Sequence, residues 1–153
     1  MRIMELVTKK IQLLGKYGNY GAWTIALLGL VGSLYLSDVV GWVPCTLCWY
    51  ARILMYPIVA IGAVGILRKD PNWSIYALPL SIAGIGLTFY HSLLQWGIIP
   101  EALAPCRIGL SCATKQLNLL GFITIPFLAV LSFIAITVCL FFYWKENKSV
   151  ERS

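Results

Sequence analysis

Apolar residues run in four long blocks, roughly Tyr20 to Val40, Trp49 to Leu67, Ser74 to Ile98 and Leu119 to Trp144, with polar residues gathered between and outside them. Each block reaches the ~20 residues that a helix needs to cross a bilayer. Helices and closed barrels are the only structures that satisfy their backbone there. The pattern therefore predicts an all-α integral membrane four-helix bundle, one domain over residues 1–153, with cysteine-bearing breaks at 41–48 and 99–118. Pro57, Pro79 and Pro126 fall inside predicted spans. Spanning helices tolerate proline because neighbouring helices re-satisfy the freed backbone groups, so kinks are expected rather than ends.

The flanks carry their own signals. Residues 1 to 19 mix Leu6, Val7, Ile11, Leu13 and Leu14 with lysines, which predicts a short amphipathic helix on the membrane surface. Arg68-Lys69-Asp70-Pro71-Asn72 joins charge to Asp-Pro punctuation and predicts a tight hairpin between the second and third helices. The tail from Lys145 to Ser153 is expected to be loose. The first span runs into Asp38 without a small-residue cleavage site, so it is read as a retained helix and not a signal peptide.

Composition agrees: 59% of residues are hydrophobic and 12% charged, with a mean hydropathy of +0.81, more apolar surface than a water-soluble core of this size hides. Charge then orients the bundle. Arg2, Lys9, Lys10, Lys16, Arg68, Lys69, Lys145, Lys148 and Arg152 flank one side, against only Arg107 and Lys115 on the other. The positive-inside rule places both termini and the middle connection in the cytoplasm and both cysteine loops outside, in a multi-pass membrane protein. That topology accounts for the net charge of +6. No basic run is interleaved with aromatics, which argues against a nucleic-acid partner.

Five cysteines form two pairs and a remainder, Cys139, read as a small buried apolar residue. Pairs facing an extracytoplasmic space can persist as disulfides. Cys45 and Cys48 open a helix, where unpaired backbone N–H groups and the helix dipole favour a thiolate. Arg52 follows Cys48 by four residues, one turn on and on the same face. An intramembrane cation is a functional residue by default, although an interfacial arginine can also anchor lipid phosphate. Cys106 and Cys112 are separated by five residues that include Gly109, close enough for a disulfide within their own loop.

Three readings of these thiols compete. They are a redox relay, a structural staple, or a four-thiolate metal site. A three-residue spacing constrains little unfolded-chain entropy, which weakens the staple. The five-residue gap departs from knuckle spacing, and Arg52 opposes a divalent cation, so no metal is expected. His91, the sole histidine, lies near the outer end of the third helix and is a candidate partner for a cofactor carbonyl, or else satisfies a local polar group. Trp42, Trp49, Tyr50, Trp73 and Trp96 read as interfacial belts. The chain also divides into two similar halves, with Tyr35-x-Ser37 and Trp42 before Cys45 echoed by Tyr90-x-Ser92 and Trp96 before Cys106.

Cys-x-x-Cys-Trp-Tyr-x-Arg at the second helix, then Pro-Cys-x5-Cys and Thr-Lys-x5-Gly-Phe-Ile-Thr-Ile-Pro-Phe leading into the fourth, resemble the DsbB/BdbC disulfide-bond formation proteins, the short Cys106–Cys112 spacing being nearer the BdbC branch. The resemblance implies a quinone-dependent protein-dithiol oxidoreductase that re-oxidises an extracytoplasmic thioredoxin-like thiol oxidase and passes electrons to membrane quinone, menaquinone or ubiquinone. It implies that Cys106 is attacked by the partner's thiolate, that Cys112 is its disulfide mate, that Cys45 exchanges with this second pair, and that Cys48 faces the quinone. Arg52 would stabilise that thiolate and polarise a quinone carbonyl. Ala51 stands where the family often has glutamine. Alternatives are a quinone reductase like the vitamin K epoxide reductases, or a non-catalytic scaffold stapled by disulfides or a metal.

Overall fold

A computed structural model describes residues 2–100, 102, 106, 111–113 and 124–151, with residues 2–14, 16 and 149–151 as backbone alone. Four helices fill it: α1 (Arg2–Asp38), α2 (Thr46–Arg68), α3 (Trp73–Gln95) and α4 (Ile125–Glu151). Each contains a segment long and apolar enough to cross a membrane, and no strand occurs among the described residues. The protein is an all-helical, multi-pass membrane protein. Arg107, Lys115, Pro105, Gly109 and the predicted start of the fourth span at Leu119 lie outside the described residues, as does most of the Thr114–Phe127 motif.

Two flank expectations are overturned. Residues 2–19 do not form a separate surface helix but continue without a break into the first span. The reason is a stripe of glycines. A Cβ on Gly18 would lie 2.6 Å from the Cys139 carbonyl oxygen, and one on Gly15 would lie 2.9 Å from Cβ of Glu146, so their absence lets α1 lie against α4. The same contact explains the tail, which is helical through Glu151 and not loose. Lys148 stacks over Trp144 there, 4.9 Å from the ring centroid.

The α2–α3 hairpin follows from its turn chemistry. Lys69 takes a left-handed conformation with φ 54°, and the amides of Lys69 and Asp70 donate to the carbonyls of Ile66 and Gly65, closing the helix end. Asp70 then accepts from the Asn72 amide at 2.8 Å. At the other end, α3 stops at Gln95, earlier than its apolar run suggests. Gly97, at φ 74°, turns the chain while the Ile98 amide donates to the Leu93 carbonyl.

Helices α2 and α3 run through Pro57 and Pro79. Pro126 falls in the first turn of α4, where a missing N–H costs nothing. The helices pack around a ring, each against its two neighbours, α1 also closing on α4. Small and hydroxylated residues of α3 face the interior: Ser74, Ala77, Ser81, Gly84 and Thr88 are buried in turn. A Cβ on Gly84 would run into the Phe133 ring, and Thr137 donates to Ser81 across α3–α4 at 3.0 Å. With lipid as apolar as leucine, such close packing and interhelical hydrogen bonds are what hold spans together.

Trp73 departs from the belt expected of it. It is 2% exposed, its ring lies against the bare backbone of Gly62 and Gly65, and it contacts Tyr143 at 6.5 Å. Trp49 and Tyr50 do face outward, at 48% and 45% exposure. Trp96 packs on Phe127.

Candidate redox site

Cys45 is the residue that caps α2, with extended backbone (φ −73°, ψ 169°), and the Trp49 amide donates to its carbonyl. The helix turn brings Cys48 back beneath it, so the two sulfurs lie 2.9 Å apart as free thiols. Cys106 and Cys112 are joined as a disulfide with Cα atoms 5.9 Å apart, within the range that bridged cysteines adopt. Cys45, Leu47, Leu94 and Cys112 form one buried cluster, with Cys48 and Cys106 packed against it. The two breaks thus bring four cysteines to one end of the bundle. Cys112 is fully buried, while Cys106 is partly exposed.

His91 joins the pairs. It is 2% exposed, and its Nε2 lies 3.6 Å from Cys45 Sγ and 3.2 Å from the Cys112 carbonyl oxygen. A carbonyl only accepts, so the contact to Cys112 places the ring proton on Nε2, directed between the sulfur and the oxygen. The Cys45 thiol is pulled well below its ordinary range, first by the hydrogen bond from Cys48, with burial opposing, and then by His91. Two neighbouring sulfurs sharing one proton favour a single thiolate, and this assigns it to Cys45. Sequence position had put His91 near the outer helix end without naming either partner.

Arg52 is 6% exposed and turned into the bundle. It donates from Nε to Ser33 Oγ at 2.9 Å, and from Nη2 to the Ser33 carbonyl at 2.7 Å and to Ser37 Oγ at 3.0 Å. Its guanidinium also lies 5.3 Å from the Trp49 ring centroid. Held against α1 in this way, it is not positioned as a lipid anchor at the surface. Ser33 and Ser37, unremarked in the sequence, are its fixing partners; their serine-x-x-x-serine spacing one turn apart, opposite an arginine, was the available signal.

Between the helices lies a cavity of about 240 Å³ whose walls include Cys48, Arg52, His91, Gly32, Pro126 and Phe133. Its lining is mostly apolar, with Ser33, Thr88 and Ser132 as further polar groups. Nothing lies within 4 Å of where a Gly32 Cβ would be, which leaves that wall open. Cys139 lies elsewhere, partly buried between α4 and α1, 3.7 Å from where a Gly21 Cβ would sit.

A capping dithiol, a second pair already bonded, and a shared histidine at one end of four spans make the arrangement of a thiol–disulfide exchanger. A family model for "Disulfide bond formation protein DsbB" matches residues 19–143. The chain belongs to the DsbB disulfide bond formation family. Among its relatives, "Disulfide bond formation protein C" of Bacillus subtilis (strain 168) is 41% identical over 119 residues, covering 78% of this chain and 86% of the relative. "Probable disulfide formation protein C" of Halalkalibacterium halodurans is 41% identical over 119 residues, covering 78% and 87%. "Probable disulfide formation protein" of Metapseudomonas resinovorans is 39% identical over 119 residues, covering 77% and 83%. No solved structure gives a significant match. Membership makes the chain a thiol oxidoreductase of disulfide bond formation.

Proposed function

We propose that this membrane oxidoreductase re-oxidises an extracytoplasmic thioredoxin-like disulfide donor and passes the electrons to membrane quinone, so supporting disulfide formation in exported proteins. The observation that carries this reading is that Cys48, Arg52 and His91 line one apolar cavity while the partly exposed Cys106 lies at the same end of the bundle.

Cys106 receives the partner's thiolate, and Cys112 leaves as the thiolate of the broken bond; the partner's second thiolate then attacks its own sulfur in the mixed disulfide, so that the partner departs oxidised and Cys106 is freed as a thiolate. Cys112, packed beside Cys45, then exchanges with the Cys45–Cys48 pair once that pair is oxidised. The end point is the state described above, with Cys106–Cys112 closed and Cys45–Cys48 reduced.

The cavity residues suit a quinone head. Its volume lies just under the ~300–1,000 Å³ of pockets that take whole drug-sized ligands, so it accommodates a ring and leaves a long tail to the lipid. Arg52 and His91 are donors suited to carbonyl oxygens, and the apolar walls suit the ring faces. Bound there, a quinone would take up two electrons and two protons as the Cys45–Cys48 dithiol becomes a disulfide. A strongly oxidising partner needs such an acceptor, because ~30 mV is worth ~1.4 kcal/mol for a two-electron couple and the aqueous thiol pool does not supply the difference. Arg52 keeps a fixed cation beside Cys48, and His91 holds the proton on Nε2 between the two pairs.

Support for a bacterial cytoplasmic membrane location with cytoplasmic termini comes from the charge asymmetry: the Arg68–Asn72 turn is basic and opposite the cysteines. The test is capture of the partner. Cys112→Ala leaves Cys106 as a lone thiolate that attacks the disulfide of the oxidised thioredoxin-like partner, and with no Cys112 to displace the new bond a mixed disulfide should accumulate on Cys106. Accumulation instead on Cys45, or none in cells that make the partner, overturns the order of exchange.

A further inference from the structure

The reduced pair and its histidine have a second chemistry. We propose that the Cys45–Cys48 dithiol, together with His91, is a site for a thiophilic divalent cation of the zinc type, available only while the pair is reduced. The cation would hold both thiols against oxidation. The proposal rests on the dithiol and His91, not on the quinone reading.

The three side-chain donor atoms all lie within 4.8 Å of one another. Zinc–sulfur bonds of about 2.3 Å and zinc–nitrogen bonds of about 2.0–2.1 Å at tetrahedral angles require a sulfur–nitrogen edge of about 3.6 Å. Cys45 Sγ and His91 Nε2 are 3.6 Å apart. The Cys112 carbonyl oxygen lies 3.2 Å from the same Nε2, close to the nitrogen–oxygen edge of about 3.3 Å that such bond lengths give. The sulfur–sulfur edge is short: 2.9 Å where about 3.8 Å is needed. Turning one cysteine about its Cα–Cβ bond opens it.

Binding releases the one proton that the two sulfurs share and moves the imidazole proton from Nε2 to Nδ1, freeing the Nε2 lone pair. Two thiolates balance one dication, so the filled site is neutral beside Arg52. Its guanidinium is moreover held on the α1 side by Ser33 and Ser37. Forming the Cys45–Cys48 disulfide removes both sulfur donors and expels the cation.

Cobalt(II) is the probe, titrated into the detergent-solubilised full chain with Cys45–Cys48 reduced. One equivalent should produce the sulfur-to-metal charge-transfer and intense d–d bands of a tetrahedral thiolate site, reversed by chelator. Outer-shell partners of a metal are worth ~10–100-fold in affinity, so loss of the imidazole itself through His91→Ala should weaken binding by at least ~10-fold. His91→Gln, which keeps a donor for the Cys112 carbonyl, should weaken it equally and guards against a folding defect. Cys139→Ala should bind as the parent does. Absence of the bands, affinity unchanged in both His91 variants, or binding that survives closure of the Cys45–Cys48 disulfide each overturns the site. None of these outcomes depends on quinone activity.

Discussion

Replacing Arg52 by methionine separates its structural part from its chemical one. The side chain makes three hydrogen bonds to Ser33 and Ser37. Interhelical hydrogen bonds inside membranes average ~0.6 kcal/mol, so together these hold α1 to α2 by about 2 kcal/mol. Methionine also removes the cost of a cation in the bundle, ~2.5–3.5 kcal/mol at the bilayer centre and less toward an end. The two nearly cancel, and the melting midpoint in detergent should move by only a few degrees. Quinone handling should not escape so lightly. A hydrogen bond from a charged donor is worth ~1.5–3 kcal/mol, which at ~1.4 kcal/mol per decade corresponds to a rise of roughly 10- to 150-fold in the quinone KM. The assay is quinone reduction, followed by absorbance, with a reduced dithiol protein as donor, varying each substrate in turn. The KM for the dithiol protein should stay where it was, because Arg52 is buried away from Cys106 on the α1 side. A quinone KM unchanged in a folded Arg52→Met protein would refute the role given to this residue and leave it a helix tie alone.

Other outcomes follow from the same geometry. Cys48→Ala or Cys45→Ser should abolish quinone-dependent oxidation of a dithiol partner while Cys139→Ala retains it, as oxygen or quinone uptake would register; full turnover without Cys48 would end the scheme. The lowered Cys45 pKa gives a pH signature. An ordinary thiol of pKa ≈ 8.5 is only ~0.3% thiolate at pH 6, whereas Cys45 should still be alkylated by a small neutral reagent at near its pH 8 rate, a plateau that His91→Ala should shorten. The sign of the linked stability is that of a depressed acid: present in full above the unfolded thiol's ~8.5, and lost as pH falls through the lower folded value. Gly84→Ala should lower thermal stability by about 1–3 kcal/mol, the usual cost of overpacking, because its methyl meets the Phe133 ring. Gly86→Ala, with nothing within 4 Å, should not, and equal melting of the two variants would remove Gly84 from the α3–α4 contact.

How much of this was legible in the chain differs by element. The α2–α3 turn was, because Lys69, Asp70, Pro71 and Asn72 act through local hydrogen bonds that need no distant partner. The Cys45–Cys48 site was too, since a helix start and a three-residue spacing are themselves local. The tail beyond Lys145 and the first 19 residues were misread for the opposite reason. The unbroken run of α1 and the helical tail go with α1 and α4 lying together, and the glycines that permit it carry no sign of which helix they meet.

By itself, the sequence determined that this protein lives in a bilayer, that its spans are helices, and that four of its five cysteines gather at two breaks on one side; hydrophobic length and charge suffice for those. Tertiary structure alone decided that Trp73 is core, that Arg52 reaches back to α1, and that His91 stands between Cys45 and Cys112. The physical reason lies in the solvent. Lipid and a neighbouring helix are equally apolar, so α2 and α4, apolar around most of their circumference, display no face by composition. Which side turns inward is settled only by close packing and by hydrogen bonds that exist once the helices have met.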